Sequence, residues 1–351
     1  NSKIFYFSSM WVLFEFLRSI LFTGLPWNLV GYSWSWSLVY SQSVSFLGIY
    51  GLGLLTVFSS ICIFSYIDNR KNKSYLFIGF LILILLFLFG FFRINNNQLF
   101  YSENEIRIVH TYFDQKDKWT NRSIEETASV GSSELITVFP ETSFGFNSKV
   151  PKNWVVGYLR KNENNYFNSI NYMGYTYDKK ILVPFGEYFP FSNLYSDLFP
   201  ENSFVNNNLT KGSKFQKFPD NITPLICYEV IFPSFVRKSL SNNTDLLINI
   251  SNDAWFGNFS GPKQHFVQAR FRSIELGLPL VRSSNKGISG IVSPIGNVIN
   301  VIESDKTTYL DVKIPKKIKK TMYREYGDLL TYFLIVLFFI IGYAIRLKQN
   351  S

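Results

Sequence analysis

The chain of 351 residues is long enough for one large domain or two smaller ones, and its composition is unusual for a soluble protein. It contains 36 Phe and 21 Tyr, but only 17% of its residues are charged, against about 25% in soluble domains. The net charge is +10, yet the basic residues flank apolar segments and follow a polar middle region. This distribution argues against a nucleic-acid partner and favours attraction to a membrane surface.

Two cysteines are too few for a disulfide framework. Cys62 lies inside an apolar run, whereas Cys227 lies in the string PLICYEVIFP, so a structural disulfide between them is not expected. Free cysteine is among the most buried residue types, and Cys227 taken alone therefore predicts core packing. A role as nucleophile needs support from the rest of the chain.

Residues 1–93 form a predicted membrane region. The uncharged runs 43–66, SVSFLGIYGLGLLTVFSSICIFSY, and 75–92, YLFIGFLILILLFLFGFF, are each long enough to cross a bilayer. Residues 4–22 are apolar but contain Glu15 and Arg18, whose i, i+3 spacing predicts an intramembrane ion pair that clasps the helix bundle. The chain starts with NSKIFYF, without Met or a signal-peptide pattern, and we interpret it as starting partway through a membrane domain.

Residues 104–318 form a predicted soluble domain of about 215 residues, and residues 329–345, LLTYFLIVLFFIIGYAI, form a further predicted span. In the middle domain, β-rich runs alternate with helix-like stretches such as 262–278, which predicts a layered α/β or α+β fold. The predicted strands are EIRIVHTYF, ELITVFPE, KILVPFG, TPLICYE, DLLINISN, PLVRSSN, SGIVSPIG and TTYLDVKI. We interpret the Asn-rich segments 94–97 and 163–171 as solvated loops.

The charge pattern predicts an orientation. The loop IDNRKNK, residues 67–73, carries three basic residues and one acid, and is expected in the cytoplasm. The next helix then crosses the membrane, so the middle domain is expected on the outer side and the last helix returns. The basic segment 316–326, KKIKKTMYREY, opposes this orientation, but long translocated domains largely escape the charge rule.

Three stretches of the middle domain place a reactive group beside a predicted strand. Glu141 follows one in ELITVFPETSFGF, Lys179 and Lys180 precede one in YDKKILVPFGEYFP, and Cys227 ends one in PLICYE. A cysteine nucleophile needs a base for its proton and a donor for the oxyanion. Each residue alone is more often solvated or packed in a core, so a site is predicted only if these strand ends meet.

Together these strings resemble the nitrilase superfamily, whose catalytic triad is Glu-Lys-Cys, and within it the bacterial apolipoprotein N-acyltransferases. The resemblance covers nearly the whole chain and rests on FPETS, YDKKILVPFGEYFP, ICYEVIFP, NISNDAWFG, the segment 261–296 and the upstream WVLFEFLRSILFTGLPWNLVGYS. It implies an α+β nitrilase-like αββα sandwich inserted into a multi-span α-helical membrane domain. That family has eight spans, so we expect the first helices of the membrane domain to be missing here.

The resemblance also implies residue roles. Glu141 is the expected general base, Lys179 the triad lysine and Cys227 the nucleophile, whereas Lys180 is out of register and expected to be a surface charge. The supporting residues that it implies are Trp119 near the substrate entrance, Glu187 beside the lysine, and Tyr228 and Glu229 next to the nucleophile. The string HTYFDQKDKW departs from the family's Gln-x-Asn-like strand exit, which leaves the role of residues 111–115 open.

The implied reaction transfers an acyl chain from a membrane phospholipid to the N-terminal α-amino group of a diacylglyceryl-cysteine apolipoprotein, through a thioester on Cys227. It implies the bacterial inner membrane, a periplasmic catalytic domain and no cofactor. An apolar setting is expected to raise the pKa of the base, and an ammonium to stabilise the thiolate. Two alternatives stay open, a membrane-tethered nitrilase-type amidase and a catalytically inactive scaffold.

The remaining candidates are weaker. His110 lies in a β run and His265 in a helix, without Cys or carboxylate at ligand spacing, so no metal site is expected. The aromatic segment 31–41, GYSWSWSLVYS, is interpreted as an interfacial belt, with guidance of acyl chains as the alternative.

Overall fold

The computed structural model of the chain describes residues 2–68, 70, 73–145, 148–190, 208–213, 218–257 and 259–350. The helices are α1 (Ser2–Arg18), α2 (Leu38–Ser41), α3 (Val44–Asp68), α4 (Lys73–Asn95), α5 (Asn121–Ser129), α6 (Pro233–Ser239), α7 (Gly261–Leu276), α8 (Met322–Tyr326) and α9 (Leu329–Asn350). The strands are β1 (Tyr101–His110), β2 (Ile136–Val138), β3 (Trp154–Asn162), β4 (Asn165–Tyr172), β5 (Tyr175–Asp178), β6 (Ile222–Ile226), β7 (Leu246–Asn252), β8 (Leu280–Asn285), β9 (Ser289–Val292), β10 (Val298–Ile302) and β11 (Thr308–Pro315).

The strands form two sheets, in the orders β11-β1-β2-β3-β4-β5 and β10-β9-β8-β7-β6. The pairs β1·β2 and β2·β3 are parallel, as are β6·β7 and β7·β8. Alternate residues of β7 show how the layers form, because Ile248 and Ile250 pack into the core between the sheets while Leu247 packs towards α7. On the far face of the first sheet, Phe139 and Trp154 pack against Ile124 of α5. The domain is therefore an αββα sandwich, as the resemblance implied.

Several strand predictions need correction. The run KILVPFG is not a strand, since the chain leaves the sheet at the end of β5 and turns at Phe185, whose φ is 61°. The Asn-rich segment 163–171 is not a loop, because most of it is β4, paired with β3 and β5. The composition explains the error, since polar residues dominate the sequence although Asn168, Ser169 and Ile170 are all buried.

Among the described residues, three helices are long and apolar enough to cross a membrane: α3, α4 and α9. Helix α4 is the least buried of the three, because only 17% of its most apolar 18-residue stretch is buried by other parts of the protein. The helix approaches its neighbours at glycines, with Gly79 against the Ser59 carbonyl of α3 and Gly90 against the Val39 carbonyl of α2. Most of the remaining apolar surface of α4 is exposed.

The expected ion pair between Glu15 and Arg18 is wrong. In the described part of the chain no ion pair within 4.0 Å joins them, and Glu15 Oε1 instead accepts the backbone N–H of Val30 at 2.9 Å. The Glu15 side chain is buried while Arg18 points outward. Glu15 therefore ties the end of α1 to the loop that follows it.

Helix α7 joins the sandwich to the long apolar helices. Helix α3 is broken at Gly48, whose φ is 67°, and the freed N–H of Ile49 donates to Glu275 Oε1 at 3.1 Å. Glu275 also pairs with Arg272 at 3.0 Å, and both side chains are fully buried. The two regions are thus connected by a buried polar contact as well as by packing of Phe271 and Ile274 into the helix bundle.

Candidate active site

The functional groups meet at one edge of the sandwich. The carboxyl ends of β1, β2, β6, β7 and β8 lead directly into residues 111–115, Glu141, Cys227, Asp253 and Lys286. Lys179 follows directly after β5. The expectation that it precedes a strand is therefore wrong. Because parallel strands place their carboxyl ends on the same edge, the groups converge although they lie far apart in sequence.

Glu141 is held by donors on both oxygens. Its Oε1 accepts from Asn168 Nδ2 at 2.7 Å and from Lys179 Nζ at 3.3 Å, and its Oε2 accepts the backbone N–H of Asn252 at 2.8 Å. The side chain is 4% exposed. The carboxylate is therefore fixed in place by groups that favour its charged form.

Lys179 lies between two carboxylates. Its Nζ is 2.7 Å from Glu187 Oε1 and 3.3 Å from Glu141 Oε1, and the side chain is 1% exposed. Asn168 Nδ2 also donates to Glu187 Oε1 at 3.0 Å, and Val183 N–H donates to Glu187 Oε2 at 2.8 Å. We call Glu141, Asn168, Lys179 and Glu187 the acid–base cluster.

Cys227 begins a short 3-10 turn, Cys227–Ile231, that directly follows β6. Its φ of 49° lies in the left-handed region, which costs a residue with a side chain about 1–3 kcal/mol. Thr142, next to Glu141, also has a positive φ, of 47°. Backbone strain therefore occurs beside both the expected nucleophile and the expected base.

The charges define a resting protonation state. Burial would raise the pKa of Glu141, but the positive charges of Lys179 and Lys118 outweigh it and hold the pKa below its usual value. Burial raises the pKa of the Cys227 thiol to about 12, Glu141 adds to this and Lys179 opposes it. The expectation of a raised pKa for the base is therefore wrong: Cys227 rests as a thiol beside an ionised Glu141.

Lys179 stays protonated in this setting. Burial alone would lower its pKa, but the carboxylates of Glu187 and Glu141 outweigh burial and raise it. Lys180 differs, because it is half-buried and its Nζ lies 5.1 Å from the centre of the Tyr177 ring, away from the acid–base cluster. Only the first lysine of the pair therefore reaches the carboxylates.

Lys118 is a functional-site residue that the sequence reasoning missed. It is 3% exposed, and its Nζ donates to the Glu141 carbonyl and, at 2.7 Å, to Thr142 Oγ1. Burial lowers its pKa to about 8, with Glu141 opposing the shift. Its neighbour Trp119 is 48% exposed and donates from Nε1 to the Thr142 carbonyl at 3.0 Å. The string DKW, residues 117–119, therefore contains both Lys118 and Trp119, of which the sequence analysis identified only Trp119.

Tyr228 and Glu229 adjoin the nucleophile in sequence and form their hydrogen bonds outside the acid–base cluster. Tyr228 donates its hydroxyl to the Gly24 carbonyl at 2.9 Å, which ties the turn to a loop of the membrane region. Glu229 accepts backbone N–H groups of Ile226 at 2.8 Å and Lys180 at 2.6 Å. Burial raises the pKa of Glu229 to about 7, with these hydrogen bonds opposing the shift. Both residues hold the turn and its surroundings in place.

Residues 111–115 now have a structural role. Gln115 Oε1 accepts from Asn252 Nδ2 at 2.7 Å, and Asn252 Oδ1 accepts from Asn285 Nδ2 at 2.8 Å. Asn285 in turn accepts from Thr111 Oγ1 at 2.9 Å. The segment thus braces Asn252, whose backbone N–H bonds Glu141.

A second group of polar side chains contacts Cys227. His265 Nδ1 is 3.0 Å from Asp253 Oδ1, and Arg282 Nη2 is 2.9 Å from Asp253 Oδ2. We call Asp253, His265 and Arg282 the histidine cluster. The ligand atoms of Cys227, Asp253 and His265 lie within 4.8 Å of one another, so the expectation that His265 has no such neighbours is wrong. The donor set does not fit a cation, because the Arg282 guanidinium already occupies Asp253 and lies 3.0 Å from His265 Nδ1.

Two family profiles match the chain. The carbon-nitrogen hydrolase profile matches residues 116–323, and the profile of the apolipoprotein N-acyltransferase N-terminal domain matches residues 1–62. The first match covers the sandwich except β1, and the second covers α1, α2 and most of α3.

Similar proteins are found over nearly the whole chain. Apolipoprotein N-acyltransferase of Rickettsia bellii is 32% identical, over 99% of this chain and 77% of its own length. The protein of that name from Wigglesworthia glossinidia brevipalpis is 31% identical, over 97% of this chain and 75% of its own length. Among solved structures, an amidase from Nesterenkonia sp. AN1 aligns with 63% of this chain and 94% of its own, at 16% identity and a TM-score of 0.44.

Proposed function

Because the chain belongs to the apolipoprotein N-acyltransferase family and carries a nitrilase-like domain, it is an acyltransferase, and we propose its substrates and mechanism. The donor is a membrane phospholipid, and the acceptor is the N-terminal α-amino group of a diacylglyceryl-cysteine apolipoprotein. The observation that carries the proposal is the placement of Lys179 between Glu141 and Glu187 beside the buried Cys227 thiol.

The first half-reaction forms a thioester. Glu141 takes the thiol proton as Cys227 Sγ attacks an ester carbonyl of the phospholipid. The ammonium of Lys179 stabilises the oxyanion of the tetrahedral intermediate. The C–O bond of the ester then breaks, and the proton on Glu141 passes to the leaving oxygen of the lysophospholipid. Because the resting thiol has a raised pKa, its deprotonation is coupled to the attack.

The second half-reaction forms an amide. The α-amino group of the apolipoprotein attacks the thioester carbonyl and gives a proton to Glu141. The C–S bond breaks, and Glu141 returns the proton to Cys227. Water must be kept from the thioester between the two steps, and burial of Glu141, Lys179 and Cys227 supports such exclusion.

The proposal includes a location. Residues 1–93 and 329–345 lie in a multi-span region of the bacterial inner membrane, and residues 104–318 form the catalytic domain on the periplasmic side. The three apolar helices and the basic loop 67–73 support this arrangement. Trp119 borders the entrance to the site, since its ring is half-exposed while its Nε1 reaches the Thr142 carbonyl.

The decisive experiment supplies the purified protein with a phospholipid that carries a labelled acyl chain and with a diacylglyceryl-cysteine peptide. We expect label on the peptide amine and release of one lysophospholipid per transfer. Ammonia release from simple amides, without lipid transfer, would instead identify an amidase. The absence of both reactions from a folded protein in bilayers would identify an inactive scaffold.

The orientation has its own test. Ser133 is exposed on the catalytic domain, whereas Cys62 and Cys227 are buried, so a Ser133→Cys variant offers an accessible thiol. A membrane-impermeant maleimide should label it in intact spheroplasts, with the parent protein as control. Labelling only after lysis would place the domain in the cytoplasm and overturn the orientation.

A further inference from the structure

The carbonyl of the nucleophile is held by a side chain from another element. His265, on α7, is 1% exposed, and its Nε2 lies 3.2 Å from the carbonyl oxygen of Cys227. This contact reaches the residue whose φ of 49° is in the strained left-handed region. A strained conformation persists only where its surroundings hold it, so the contact is placed where support is needed.

The Cys227 carbonyl requires a hydrogen on Nε2 of His265. A carbonyl oxygen can only accept, and this one lies 3.2 Å from His265 Nε2. Nδ1 lies 3.0 Å from both Arg282 Nη2, which donates, and Asp253 Oδ1, which accepts, so the contacts of Nδ1 do not select the tautomer. In the neutral Nδ1–H tautomer, the Nε2 lone pair would face the carbonyl oxygen, which is repulsive.

The surrounding charges keep the ring neutral. Burial lowers the pKa of His265, the positive charge of Arg282 lowers it further, and Asp253 opposes both. Asp253 itself is ionised, because the positive charge of Arg282, together with the hydrogen bond from Ser251, outweighs the effect of burial and lowers the pKa of its carboxyl. The fixed ion pair of Arg282 and Asp253 thus orients the imidazole without protonating it.

We propose that His265 is a positioning residue: its Nε2–H holds the Cys227 carbonyl so that the backbone N–H of Tyr228 points towards the oxyanion. The Cys227–Tyr228 peptide bond is trans, so its C=O and N–H point in opposite directions. Anchoring the C=O on His265 directs the N–H away from α7. Tyr228 is in the first turn of the 3-10 segment Cys227–Ile231, where N–H groups have no intrahelical acceptor. The inference rests on the proposed acyl transfer.

The tautomer can be measured in the unmodified protein. The chain contains only two histidines, His110 and His265, so ¹⁵N-histidine labelling gives two ring systems in the NMR spectrum. A His110→Gln variant assigns them. We expect His265 as the neutral Nε2–H tautomer at pH 7, with its Nε2 proton hydrogen-bonded. A neutral Nδ1–H ring, which has no hydrogen on Nε2, would overturn the proposal, whether or not any variant folds.

Kinetics test the positioning role. His265→Met removes the donor at similar volume and should lower kcat for thioester formation about 10²-fold, the effect of losing one oxyanion donor, while KM for phospholipid stays within about 3-fold. His265→Gln restores an N–H donor, and its kcat should be about tenfold higher than that of His265→Met. His110→Met is the control, since His110 is equally buried but bonds Ser289 and the Ser304 carbonyl instead of the Cys227 carbonyl.

The outcomes separate this inference from the proposed function. A wild-type protein that forms the thioester, with His265→Met equally fast, overturns the positioning role and leaves acyl transfer intact. A rise in KM at unchanged kcat also overturns it, because that result indicates substrate binding. If the wild type forms no thioester in any phospholipid bilayer, the proposed function fails, and the NMR tautomer still decides whether His265 holds the Cys227 carbonyl.

Discussion

The acid–base cluster and the histidine cluster both lie near Cys227, but their charged groups are arranged differently. In the acid–base cluster, Lys179 is shared by Glu141 and Glu187 at 3.3 and 2.7 Å, so charge and hydrogen bonds can be redistributed when a proton moves. In the histidine cluster, Arg282 and Asp253 are fully buried and fix one neutral imidazole. The comparison indicates that the acid–base cluster is suited to proton transfer and the histidine cluster to holding the backbone of Cys227.

The clusters also differ in what breaks them. A substitution in the acid–base cluster changes the groups that contact the reacting atoms, so we expect its effect in the chemical step. A substitution in the histidine cluster leaves those groups in place and acts through the Cys227 backbone. The following four predictions concern the acid–base side, in order of expected effect.

Cys227→Ala should abolish thioester formation, a loss of about 10⁶-fold that reaches background, because the nucleophile itself is removed. Thioester is measured as hydroxylamine-labile label from an acyl-labelled phospholipid. Cys62→Ala is the matched control, since Cys62 is buried in α3 and should be dispensable. Acyl transfer to a lipoprotein by Cys227→Ala would end the assignment of Cys227 as nucleophile.

Lys179→Ala should lower the rate of thioester formation by about 10²–10³-fold, because an oxyanion-stabilising donor is lost. Lys180→Ala is the control and should change the rate by about 2-fold or less, since its Nζ lies over Tyr177 outside the acid–base cluster. Both are compared as initial rates in matched bilayers. A larger loss at Lys180 than at Lys179 would show that the register is wrong.

Asn168→Ala should slow thioester formation by about 10- to 100-fold, because Asn168 Nδ2 bonds both Glu141 and Glu187 and such bonds to charged groups contribute about 1.5–3 kcal/mol. Asn171→Ala on the same strand is the control, since its Nδ2 lies 3.4 Å from Thr176 Oγ1 and contacts neither carboxylate. Equal rates for the two variants would remove Asn168 from the acid–base cluster.

Lys118→Met should have the smallest effect, about tenfold at pH 7, or 1.4 kcal/mol. Removing a positive charge destabilises the Glu141 carboxylate, so Glu141 becomes protonated at higher pH. The acid limb of the rate profile should therefore move to higher pH. Lys116→Met, an exposed neighbour, is the control. An unchanged acid limb would mean that Lys118 does not influence the base.

Site residues that lie within long motif strings could be predicted from the sequence. Glu141, Lys179 and Cys227 each lie in such a string, and their convergence required only that parallel strand ends share an edge. Asn168 could not be found in this way, because it lies in the Asn-rich strand β4 and 27 residues separate it from Glu141. A usable signal was present: aromatic residues on both sides of Met173-Gly174 are typical of a hairpin, here β4–β5.

The histidine cluster could not be predicted from the sequence for a different reason. Asp253, His265 and Arg282 come from the end of β7, from α7 and from β8, and no local spacing relates them. Their contact depends on how α7 packs on the second sheet. Likewise, the bond from Glu15 to the Val30 N–H depends on the path of the loop after α1, whereas helical spacing could indicate only Arg18. Periodicity relates residues within an element, and tertiary packing relates the others.

The most direct test of the central claim is intact-peptide mass spectrometry of the purified protein after incubation with phospholipid alone. The account predicts one added acyl mass on the peptide that contains Cys227, removed by hydroxylamine and by a diacylglyceryl-cysteine peptide, and absent from Cys227→Ala. Acyl transfer that proceeds without any adduct on Cys227, or with the adduct on another residue, would contradict it.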